Sequence, residues 1–248
     1  MSGLLYRIGR SLGQAALPVI RKAQWSWQAV AGSEEDRLRA EQELGSTLAV
    51  RVREELEVRD ASADTARVQA LGEQLTAHVR DRRFGFRVGL VRLSEPTALA
   101  LPGGFVFLSL ALLDLCQRYE DELAFVIGHE MAHVLRGHAA DRMLEESALK
   151  VVSGLLRRAG PLGLLVKEAG FQALTAAYAR EAEFEADELG SRLAAAAGHH
   201  PLAGVRLFER LQAQASEPAP TGLGAYFASH PSPAERIRHL GRVWKGKV

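Results

Sequence analysis

Between Asp121 and Ala139 the apolar residues Leu123, Val126, Ile127, Met131, Val134 and Leu135 recur with the period of an α-helix, and two histidines and a glutamate stand at the edge of that face. At about 100° per residue, His129 and His133 are roughly 40° apart and one turn apart, so their imidazoles can converge on one ion. Glu130 lies about 100° from His129, which carries its carboxylate beside such an ion rather than onto it. That position suits a general base acting on metal-bound water. With 8 histidines and 30 acidic residues in 248, a His-Glu-x-x-His arises by chance on the order of once per fifty such chains. The motif therefore needs support from elsewhere, because His129 could equally cap or hydrogen-bond inside a helix pair.

A catalytic zinc site needs a third protein ligand and an open position. His138 is near in sequence, but on a continuing helix it falls about 140° round from His133 and points away, as a packed group or a partner of a ligand. Residues 179–190, AREAEFEADELG, offer more. Glu183 and Asp187 share one helical face, and Gly190, Ala194 and Ala197 extend the same stripe, so a second helix can approach closely. Glu183 can then reach an ion held by His129 and His133, while Asp187 accepts the far ring N–H of a ligating histidine and fixes its tautomer. The alternative is an acidic, alanine-rich helix whose carboxylates face solvent, a role that suits Glu181, Glu185 and Glu188.

The rest of the chain reads as a helical body with one small sheet inserted before the histidine helix. Ser33-Glu34-Glu35-Asp36 is a helix start, with helical pattern to about Asp60 and again from Ser62 to Val79. Phe84 to Leu93 alternates as a strand, and Thr97–Leu101 and Phe105–Leu108 read as two more, joined through Pro-Gly-Gly. Helical period then covers roughly 120–139, 140–157, 162–179, 181–197 and 202–214, with Gly198 and Pro201 separating the last two and Ser232-Pro233 opening a final helix.

Composition narrows the classes. Hydrophobic content of 47% with 25% charged residues is globular, and a formal charge of +1 shows no general preference for nucleic acid. A single cysteine, Cys116, excludes both a disulfide framework and a cysteine-based zinc cage. The uncharged run from Pro96 to Leu113 is broken by Pro102-Gly103-Gly104 and is not read as a membrane span. Residues 1–32 form a separate basic segment. Leu4, Leu5, Ile8, Leu12 and Val19 share one arc opposite Arg7, Arg10 and Arg21, so residues 4–22 either pack on the protein's own body or lie on an anionic membrane surface. No convincing signal peptide or transmembrane helix is visible, so the expected location is cytoplasmic or peripheral to a membrane.

Three segments, GHEMAHVLRGHAADRM, REAEFEADELG and SHPSPAERI, resemble in order and spacing the forty-eighth metallopeptidase family. These gluzincin endopeptidases include the HtpX proteases, the CAAX prenyl proteases, BepA-like proteases and mitochondrial OMA. The resemblance runs from about Leu93 to Leu240. It implies a mainly α, α+β zincin-like fold whose edge strand lines the active-site cleft, as a single domain over residues 33–248. It also implies a bacterial zinc endopeptidase of protein quality control, holding one zinc per chain and acting on peptides or unfolded proteins. Carried over by position, His129, His133 and Glu183 are the metal ligands, Glu130 is the catalytic glutamate and Asp187 is the orienting carboxylate. The late His-Pro-x-x-x-x-Arg places His230 close to the zinc, either as a removable fourth ligand or as a catalytic residue beside the substrate carbonyl, and Arg236 at the developing oxyanion. TALALPGGFVFLSLALL resembles the substrate-lining edge strand, implying that Gly103, Gly104, Phe105, Val106 and Phe107 meet substrate. Thr97, Leu99 and Leu110-Ala111 depart from the usual residues there, and the absence of the membrane spans of the HtpX and prenyl-protease branches argues against prenylated substrates. An alternative implied by the same resemblance is a latent, chaperone-like module in which His230 blocks the zinc as a fourth ligand.

Overall fold

The computed structural model describes residues 33–56, 62–94, 96–117, 119–138, 180–215 and 231–247. Helix α1 (Glu34–Glu55) opens on the expected cap: Ser33 Oγ accepts from Asp36 N at 3.2 Å, and the Asp36 carboxylate accepts from Ser33 N at 3.0 Å. Helix α2 (Ala63–Ala77) follows, then strands β1 (Arg87–Val91), β2 (Ala98–Leu101) and β3 (Phe105–Ser109), and a short helix α3 (Leu110–Leu115). Helix α4 (Glu120–Leu135) carries the histidines, α5 spans residues 180–196, and α6 (Ala203–Ala215) and α7 (Pro233–Val243) close the order. Helix α7 repeats the device of α1, with Ser232 and Glu235 in a capping box and Pro233 in the first turn.

The sheet runs β1-β3-β2. Strand β3 pairs parallel with β1 and antiparallel with β2, so it is the middle strand although it comes last in the chain. The Pro102–Gly104 turn makes this possible, because Gly103 and Gly104 adopt φ of 75° and 90°, where a side chain is strained. Residues Leu44, Leu48 and Val52 of α1 cover one face of the sheet, packing with Val91, Leu101 and Phe107. Residues of α2 and α4, including Val68, Leu75, Leu123 and Ile127, cover the other face with Val88, Leu90, Val106 and Leu108. Burial on both faces holds the histidine helix rigidly against the sheet.

Helix α4 ends at Leu135, four residues before the expected Ala139, because Gly137 turns the chain at φ 76° and its N–H donates back to Val134 O at 3.0 Å. Phe105, Val106 and Phe107, expected on a substrate-lining edge, lie on the middle strand with both sides paired, so their main chain has no free side for a peptide. Gly103 and Gly104 are buried in the turn, closed in by Gln42 of α1 and Gly85. The edge strand alongside α4 is β2. Helices expected over 140–157 and 162–179, and the amphipathic segment within 1–32, lie outside the described residues.

Helices α4 and α5 touch where neither has a side chain. A Cβ on Gly190 would stand 2.5 Å from His129 N, and one on Gly128 would stand 2.7 Å from Gly190 O. Gly190→Ala is therefore expected to cost about 2 kcal/mol, the clash outweighing the better helix propensity of alanine. A lowered denaturant midpoint with unchanged slope would show it; an unchanged midpoint would mean the helices do not meet there.

Candidate metal centre

The crossing of α4 and α5 brings residues 54 apart in sequence to one point. His129 Nε2 and His133 Nε2 stand 3.1 Å apart, as one helical turn dictates. Glu183 reaches across from α5, with Oε1 3.3 Å from His133 Nε2 and Oε2 3.5 Å from His129 Nε2. All three residues are buried, and Glu183 is only 1% exposed. Among the described residues this is the cluster able to hold a metal ion. In a tetrahedral zinc site with bonds of about 2.0–2.1 Å, ligand atoms lie roughly 3.3 Å apart, so the observed spacings fit such an ion.

The far side of His129 is equally organised. Its Nδ1 lies 3.0 Å from Asp187 Oδ1, one turn beyond Glu183 on the same face of α5. Arg236, from α7, donates from Nε to Asp187 Oδ2 at 2.8 Å and from Nη2 to Asp187 Oδ1 at 2.5 Å. Its guanidinium also stacks over the Phe208 ring at 4.2 Å. Asp187 and Arg236 are 0% and 1% exposed, a dry bidentate pair. Burial pushes the Asp187 carboxyl up, but the Arg236 charge outweighs it and holds the group below the usual carboxylate range. Burial likewise opposes charge on His129, yet the Asp187 and Glu183 carboxylates overcome it and raise the imidazole to about 9. The pocket thus favours a positive charge, as a cation site must.

Arg236 was expected at the oxyanion. Two of its nitrogens, Nε and Nη2, donate to Asp187 behind the imidazole of His129, and the residue also lines the cleft that holds His129 and Glu130. Glu130 is half-buried and lines a cleft with His129, Phe125, Pro96 and Ala98, which puts it beside the start of β2. His230 lies outside the described residues, and the blocking-ligand alternative with it. His138 is buried and partners His133, as expected of a packed group, but its ring turns toward His133 rather than away. His138 Nδ1 lies 3.1 Å from His133 Nδ1, and Glu185, solvent-exposed as expected, pairs with Arg136 at 2.8 Å on the surface. The glycine at 137 was the available signal, since it stops the helix on which His138 would have pointed away.

A helical body, a three-stranded sheet and a His–His–Glu cluster shared by two crossing helices define a gluzincin. The chain belongs to Peptidase family M48, whose family model matches residues 62–243. That match begins some thirty residues before the stretch the sequence motifs cover. The chain is 34% identical over 156 residues to Mitochondrial metalloendopeptidase OMA1 of Schizosaccharomyces pombe, covering 61% of this chain and 44% of that protein. It is 30% identical over 193 residues to the Beta-barrel assembly-enhancing protease of Escherichia coli K12, covering 70% and 37%. It thus spans less than half the length of these relatives. The crystal structure of S. mikatae Ste24p matches with a TM-score of 0.53 at 15% identity over 96% of this chain and 63% of that one, a likeness of fold. Among the described residues no helix is long and apolar enough to cross a membrane.

Proposed function

We propose that the chain is a zinc-dependent endopeptidase, acting on extended or unfolded polypeptide within one domain over residues 33–248. The observation that carries this reading is one cleft in which Glu130 stands beside a buried His129–His133–Glu183 cluster and the start of an edge strand. His129, His133 and Glu183 would hold the ion. When bound, zinc acidifies water and polarises the carbonyl of the scissile peptide. Glu130 takes the proton from the attacking water and delivers it to the leaving amine. Asp187, clamped by Arg236, keeps the proton on His129 Nδ1 so that Nε2 offers its lone pair.

Substrate binding follows from the strand register. Ser109 N donates to Thr97 O at 2.9 Å, so residues 97, 99 and 101 face β3 with their main chain. Alternation then turns the N–H and C=O groups of Ala98 and Ala100 outward, where an extended peptide can add by main-chain hydrogen bonds. Such recognition is largely indifferent to side-chain identity.

The test is metal content paired with cleavage. The purified chain is expected to carry about one zinc and to cleave an unfolded protein such as casein. A chelator should abolish cleavage and added zinc restore it, while Glu183→Ala should lose both the metal and the activity. A zinc-loaded chain that leaves unfolded substrates intact would overturn the endopeptidase reading; a chain that binds no zinc would overturn the metal centre itself.

A further inference from the structure

His129 and His133 are supported differently. Behind His129 stands a carboxylate fixed by an arginine. Behind His133 stands a second imidazole, His138, itself buried, with Nδ1 facing Nδ1 at 3.1 Å and the rings edge-on. On its other side, His138 Nε2 lies 3.5 Å from Glu185 Oε2, and the other Glu185 oxygen is held by Arg136 Nε at 2.8 Å. Gly137 bends the chain between Arg136 and His138, so one short turn places both the imidazole and the arginine that anchors its carboxylate.

Proton positions follow from chemistry. A neutral imidazole that gives the Nε2 lone pair to a metal carries its proton on Nδ1 and donates there. His138 Nδ1 must then be bare in order to accept, which puts the His138 proton on Nε2, the side facing the Glu185 carboxylate. The His133–His138 contact selects this tautomer, since a proton on His138 Nδ1 would set two donors against each other at 3.1 Å, and the exposed Glu185 carboxylate 3.5 Å from Nε2 adds a negative charge on the side of the Nε2 proton.

We infer that His138 is a positioning residue for the metal centre, accepting a hydrogen bond from the Nδ1 proton of His133 and holding that ring with its Nε2 toward the ion. The inference rests on the reading of His133 as a zinc ligand. His138 stands behind His133 and is not one of the three residues of the cluster. It supplies His133 with a neutral acceptor in place of a third buried carboxylate, and so leaves more of the zinc's charge available to act on a bound water than a second Asp187-like partner would.

The test uses the full chain loaded with zinc alone and follows metal transfer to a chromogenic chelator. His138→Phe fills the ring's space without an acceptor and is expected to release zinc about ten- to a hundredfold faster. His138→Asn restores an acceptor near the Nδ1 position and should release it close to the wild-type rate. Wild-type release by the phenylalanine variant, or asparagine release as fast as phenylalanine, would overturn the inference. Nitrogen-15 spectra of the unaltered zinc-loaded chain give a reading independent of any variant. His138 should be protonated at Nε2 and bare at Nδ1, and the reverse tautomer sinks the proposal. A wild-type chain that takes up no zinc sinks the underlying metal reading as well, whereas a zinc-loaded chain with an indifferent phenylalanine variant sinks this inference alone.

Discussion

Glu130→Gln is expected to retain about one zinc per chain and to lose peptide cleavage by roughly a thousandfold, the scale of a removed general base. The geometry separates the two properties. Glu130 neighbours His129 in sequence but lies a quarter turn away on α4, lining the cleft beside Ala98 rather than joining the cluster with Glu183. Glutamine keeps the shape and polarity of the side chain and removes only its ability to take a proton. Metal analysis and casein cleavage on the same sample decide the matter. Cleavage at the wild-type rate would remove Glu130 from the chemistry, and loss of zinc would make it part of the ion's cage instead.

Arg236→Met is expected to lower folding stability by about 3–5 kcal/mol, because it strands the buried Asp187 carboxylate while keeping an apolar stem against Phe208. Zinc should also leave about ten- to a hundredfold more readily, since Asp187 no longer holds His129 in one orientation. An Asp187→Asn, Arg236→Met double variant should lose far less than the sum of the two single changes, as groups within one network do. An oxyanion role predicts another pattern: turnover down by about 10²–10³ with stability and zinc retention unchanged. Denaturant unfolding of the metal-free chain, alongside kcat, separates the two. A destabilisation below about 1 kcal/mol would refute the clamp.

The parts of this molecule most legible in its sequence are those set by local chemistry. Ser33 and Ser232 announce their helices through short-range hydrogen bonds, and Gly198 closes α5 at φ 91° as its place after an alanine run implies. The helical period brought His129 and His133 together, and the small-residue stripe through Gly190 correctly foretold a close helix crossing. What stayed hidden depended on non-local geometry. Nothing in a contiguous apolar run states that β3 slips between β1 and β2, because pairing order is decided by the faces that α1, α2 and α4 cover. The direction of His138 turned on a single residue: a helix continued through Gly137 sends the ring away, and a helix stopped there returns it to His133. The Arg236–Asp187 pair joins residues 49 apart, beyond the reach of any periodicity.

At Gly128 and Gly190 peptide touches peptide, so the gap between the two helices is gauged by atoms common to every amino acid. Trading a leucine for a methionine elsewhere in the core shifts side chains but leaves that gauge unaltered. Spacing at the cation is thereby insulated from most drift in the surrounding residues, and fragility concentrates at two positions that have no side chain to lose.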